Sequence, residues 1–137
     1  MDLGDAVGGV SWLTVLLAAA IPFVLGALWY GPLFGKRWMT ASGMTEEKVA
    51  SGNMLRTFGA AFVLQLVQAV ALAVFIGVEA GVWVGLVAGL FAGIGWVAAA
   101  FGVVYLFEQR PLGHFLVNAG YMVVSLAVMG SILGAWG

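Results

Sequence analysis

Four uncharged, predominantly apolar runs divide the chain: roughly Val7–Gly35, Thr57–Val78, Ala80–Phe107 and Pro111–Gly137. Each can supply the roughly 20 apolar residues that a helix needs to cross about 30 Å of hydrocarbon. Backbone polar groups inside a bilayer have to be satisfied within the segment, so the runs predict helices. No alternation of polar and apolar residues suggests barrel strands. The pattern therefore predicts an all-α, integral membrane four-helix bundle. Its helices lie at about 10–31, 55–78, 81–107 and 113–136, with an interfacial segment over 32–54 that carries a short helix.

Composition agrees with that reading. Of 137 residues, 64% are hydrophobic and 8% charged, and the mean hydropathy is +1.11. A soluble domain of this length carries more surface charge. The net charge of −1 leaves no basic surface for nucleic acid, and the absence of cysteine removes thiolate chemistry. The first run has Asp2 and Asp5 before it and no Lys or Arg, so it reads as a retained helix rather than a signal peptide.

The five cations fall in two places only. Lys36, Arg37, Lys48 and Arg56 follow the first run, and Arg110 follows the third. In a four-helix chain these segments share one side, which the positive-inside rule assigns to the cytoplasm. Both termini are then expected outside, in a bacterial inner membrane.

The stretch "LWYGPLFGKRWM", Leu28 to Met39, packs four aromatic rings, Gly31-Pro32 and two adjacent cations together. Gly31-Pro32 is expected to end the first helix, because proline disfavours helical backbone in the residue before it. Trp29, Tyr30 and Trp38 suit the membrane–water interface, and Lys36 and Arg37 can reach lipid headgroups. After them, Thr45 is expected to cap a short helix that begins with Glu46 and Glu47.

"LGALWYGPLFGKRWM" followed by "GMTEE", and later "NAGYMVVSLAVMGSILGAW", resemble the small bacterial membrane proteins catalogued as domain of unknown function 1761. The resemblance covers Leu13 to Trp136. It implies a four-helix integral membrane protein and brings no activity, substrate or catalytic residue.

Two patterns carry the candidate chemistry. In the third helix Gly81, Gly85, Gly89 and Gly93 recur every fourth residue. They form a groove without side chains, of the kind that lets helices approach closely in lipid. Its partner is a helix of the same chain, a second protomer or another membrane protein. Gly130 and Gly134, and Ala69, Ala73 and Gly77, offer complementary faces.

The second pattern is polar. His114, Asn118, Tyr121 and Ser125 share one face of the fourth helix, and Gln65 and Gln68 share one face of the second. At about 1.5 Å per residue, Gln65 and Gln68 reach the depth of Ser125. The face is either a solute path or ordinary interhelical hydrogen bonding.

Apart from Arg56 at the start of the second helix, no Asp, Glu, Lys or Arg lies inside a predicted span. Ion-coupled transporters usually keep such a residue there. The single histidine lacks co-ligands for a metal site, and Ser125 lacks a base. No catalytic residue, metal or cofactor is assigned. The leading expectation is a non-enzymatic protein that packs through its glycine face, as a homo-oligomer or accessory subunit. The alternative is a passive channel or carrier using the polar face. The third is lipid-headgroup binding at Lys36-Arg37-Trp38.

Overall fold

A computed structural model describes residues 11–45, 47, 54–77 and 80–136. Helix α1, Trp12–Leu28, continues through a π-helical turn, Trp29–Leu33. A short helix α2, Gly35–Ser42, follows. Helix α3 covers Met54–Ile76. Helix α4, Val82–Ala92, passes through a second π turn, Gly93–Ala98, into α5, Ala99–Phe107. Helix α6 covers Leu112–Trp136. Among the described residues there is no strand.

Four rods are long and apolar enough to cross a membrane: Trp12–Leu33, Leu55–Ile76, Val82–Phe107 and Leu112–Trp136. We call them spans 1 to 4. Span 4 is the centre, with 44% of its most apolar stretch buried, and span 2 is peripheral, with 11%. The core draws on all four: Val15, Ala18 and Ala19, then Ala69 and Leu72, then Ala88 and Ala92, then Leu126, Met129 and Leu133. Half of these are alanines. Small side chains let the backbones close where lipid offers no hydrophobic drive between helices.

Gly31-Pro32 does not end the first helix, as the sequence suggested. The Phe34 N–H donates to the Trp29 carbonyl, five residues back, at 2.7 Å. The wider π turn needs no N–H from Pro32 and leaves room for its ring. The helix therefore runs to Leu33 and delivers Trp29 and Tyr30 in helical register.

Helix α2 is one that the sequence reading did not expect. It starts at Gly35, directly after the π turn, and stops at Gly43, whose φ of 75° is the left-handed conformation common after a helix. A Cβ at Gly35 would strike the Tyr30 carbonyl oxygen, so only glycine permits so sharp a departure. The helix expected after Thr45 falls mostly outside the described residues. Between spans 3 and 4 the chain turns at Gln109, with φ 58°. There the Arg110 N–H donates to the Tyr105 carbonyl at 2.9 Å.

Candidate functional site

The glycine series has its partner within the chain. A Cβ at Gly85 would run into the Gly130 carbonyl, one at Gly89 into the Leu126 carbonyl, and one at Gly93 would lie 3.0 Å from the Val123 Cα. Reciprocally, a Cβ at Gly134 would strike the Gly81 carbonyl. Spans 3 and 4 therefore run antiparallel with backbone against backbone, in steps of about four residues. At the far end the Gly81 N–H donates to the Gly134 carbonyl at 3.0 Å. The groove that might have received a second copy is filled by span 4. Gly130 and Gly134, one of the two complementary faces read in the sequence, are the ones that match it.

The polar residues divide into two sets. Asn118 is the hub of the first. Its Oδ1 accepts from the Tyr30 hydroxyl at 2.6 Å. Its Nδ2 donates to the Tyr105 hydroxyl at 3.1 Å and lies 3.3 Å from His114 Nε2. The His114 ring also packs edge-on against Tyr105, with centroids 4.6 Å apart. One turn deeper, the Tyr121 hydroxyl donates to the Pro22 carbonyl at 2.7 Å. This set ties spans 1, 3 and 4 together.

The second set is Gln65, Gln68 and Ser125. They share a depth but make no hydrogen bond to one another: Gln65 Oε1, Gln68 Oε1 and Ser125 Oγ are enclosed without partners. The pairing suggested by depth fails because of rotation about the helix axes. Ser125 stands on the Asn118–Tyr121 face, turned toward span 1. Gln65 lies one turn from the core residue Ala69, on span 2. Gln68 is turned toward span 3, beside Trp96 and Val97. The face is thus not a continuous polar path.

Trp29 and Tyr30 were expected as interfacial anchors, but both direct their polar atoms into the protein. The Trp29 indole N–H donates to the Val117 carbonyl at 2.8 Å. Its ring stands over Gly120, where a Cβ would come within 3.0 Å. A half-buried indole N–H or phenol needs a partner, and span 4 supplies both. Trp38 packs edge-on against Tyr30 at 5.4 Å.

These contacts shape a groove of about 440 Å³ at the end of span 1. One bank is α2, with Lys36, Arg37, Thr40 and Ala41; the floor is span 4, with Gly113, Leu116 and Val117. Trp29 and Phe34, with centroids 4.7 Å apart, close one end. The Ala41 methyl stands 3.8 Å from where a Gly113 Cβ would be. Thr40 donates to the Lys36 carbonyl at 3.0 Å, so its hydroxyl fixes the helix. Lys36 and Arg37 are exposed and pair with no described carboxylate. Trp38, which the sequence grouped with the two cations, is not part of this groove. Phe34, one of the four aromatic rings of the Leu28–Met39 stretch, is part of it, and Leu116 and Val117 were missed. Nothing in an apolar run tells which turn of span 4 lies beneath a cationic loop.

Four apolar spans, a core of small residues and a cationic groove at one end define the class: a multi-pass, helical membrane protein. The chain belongs to the family described as "Protein of unknown function (DUF1761)", whose profile matches residues 13–134. No curated protein and no solved structure matches it.

Proposed function

We propose that the protein binds an anionic phospholipid in the groove between α2 and span 4, without catalysing a reaction. It would do so at the cytoplasmic face of a bacterial inner membrane, with both termini outside. One observation carries the reading. Two adjacent cations without described acidic partners border a cavity whose floor is apolar and whose Leu116 is 58% exposed. A headgroup phosphate meets Lys36 and Arg37, while an acyl chain follows Leu116 and Val117 toward the bilayer interior.

The other readings lose support on the same page. Self-association through the Gly81–Gly93 face would need a surface that span 4 already covers. A second copy or a partner subunit would have to use another face. A passive channel would need the polar residues to join, and Ser125 is fully buried and unpartnered.

The test is native mass spectrometry from mild detergent, with phosphatidylglycerol against phosphatidylcholine. Each cation near an anionic surface contributes about 1 kcal/mol. Lys36→Gln with Arg37→Gln should therefore weaken retention of phosphatidylglycerol roughly 30-fold and leave phosphatidylcholine unchanged. Equal retention of both lipids by the parent protein would sink the reading.

A further inference from the structure

A second cavity, of about 160 Å³, lies between spans 2 and 3. Counting at about 1.5 Å per residue, Gln68, Trp96 and Leu126 all lie roughly 16–18 Å from the end of the membrane that carries the groove. The cavity is therefore near the bilayer midplane and far from Lys36 and Arg37. Its walls are Phe75 and Trp96, packed edge-on with centroids 5.7 Å apart, together with Leu126 and Val97. The second π turn carries Trp96 and Val97 to this place, and π turns inside longer helices are frequent at functional sites. Phe75 and Trp96 are each more than half exposed, so the cavity opens toward lipid.

Among the described lining residues, Gln68 is the one with a side-chain acceptor, and the Trp96 indole N–H is the other polar group. The amide makes no hydrogen bond to a described residue, and its Oε1 is enclosed without a partner. An unsatisfied amide in hydrocarbon costs free energy, and bulk water is absent at this depth. With no partner at either end, the amide can rotate by half a turn and present N–H or oxygen to the cavity. An apolar cavity of about 150 Å³ is large enough for benzene.

We infer that the cavity between spans 2 and 3 is a binding site for a lipid-soluble molecule with an oxygen-substituted six-membered ring, a phenol or a hydroquinone, held by Gln68 and the Phe75–Trp96 pair. The ring fills the volume. The hydroxyl donates to or accepts from the amide. Any substituent leaves toward lipid past Ala71, which is exposed at the rim.

The experiment uses the whole protein in lipid nanodiscs and fluorine NMR of 4-fluorophenol and fluorobenzene, which differ by one hydroxyl. The parent should bind 4-fluorophenol saturably and roughly tenfold more tightly than fluorobenzene, as expected for an amide hydrogen bond away from water. Gln68→Leu should erase that preference. Ala71→Phe, which fills the cavity from its exposed rim, should remove saturable binding of both probes. Neither variant should unfold at a lower temperature than the parent, and phosphatidylglycerol retention should stay unchanged in both, which separates this site from the cationic groove. Competition by a hydroquinone with one isoprene unit distinguishes the two sources. Displacement at lower concentration than phenol indicates a membrane-borne quinol, equal displacement a free phenol, and both agree with the assignment. Equal affinity for the two fluorinated probes, a preference that survives Gln68→Leu, or no saturable binding overturns it.

Discussion

Asn118 and Gln65 are both carboxamides inside a membrane protein, and they should respond to substitution in opposite ways. Asn118 accepts from Tyr30, donates to Tyr105 and lies against His114. Interhelical hydrogen bonds in membrane proteins contribute about 0.6 kcal/mol each and at most about 1.7 kcal/mol. Asn118→Leu removes the hub and strands its partners, so it should lower unfolding stability by roughly 2–3 kcal/mol. Tyr30→Phe, which removes one donor, should cost about 0.6–1.7 kcal/mol. Titration with denaturing detergent measures both. Gln65 Oε1 has no partner to lose. Gln65→Leu should be neutral or stabilising by up to about 1 kcal/mol. A clear loss would mean that the Gln65 amide is satisfied in the membrane by a group outside this chain.

At the scale of elements, the pairing of spans 3 and 4 depends on backbone approach. A Cβ at Gly85 meets the Gly130 carbonyl, which cannot move aside as a side chain can. Gly85→Ala should therefore cost about 1–3 kcal/mol, the range for overpacking a close interface. Gly95 is in the same span, within the second π turn, and a Cβ there meets nothing within 4 Å. Gly95→Ala should be neutral or stabilising by up to about 1 kcal/mol through helix propensity. Thermal melts of the two variants side by side read the difference. Gly89→Ile extends the comparison. Because the groove faces span 4, it should lower the melting temperature of the single chain and leave its oligomeric state, read by crosslinking, as in the parent. Loss of a crosslinked oligomer with an unchanged melt would instead place the groove at an interface between chains.

For the whole molecule, the distribution of cations sets the expected orientation. Lys36, Arg37 and Arg110 lie at the same end of the bundle, around the groove and the turn between spans 3 and 4. If that end is cytoplasmic, cysteines at Ser42 and Gln109 should be protected from an impermeant thiol reagent in intact cells. Cysteines at Ala80 and Ala135 should be labelled. The opposite pattern would place the groove on the outer face and remove the lipid reading as stated.

The sequence by itself determined what one-dimensional quantities control. Long uncharged runs require helices that satisfy their own backbone in lipid, so the four apolar helices were legible. The four-residue glycine repeat was legible as a packing face, because it depends only on helical period. The tertiary structure decided everything that depends on rotation between helices. It turned Ser125 toward span 1 and Gln68 toward span 3, although their depths agree. It set the glycine groove against Gly130 and Gly134 rather than against an open surface. It also carried the first helix through Gly31-Pro32 in a π turn, which brought Trp29 and Tyr30 onto span 4 and opened the cationic groove beneath α2. Local propensity forecasts a stop at that proline. A five-residue hydrogen bond and partners waiting on a helix 88 residues later overrode it, and neither is written in the local sequence.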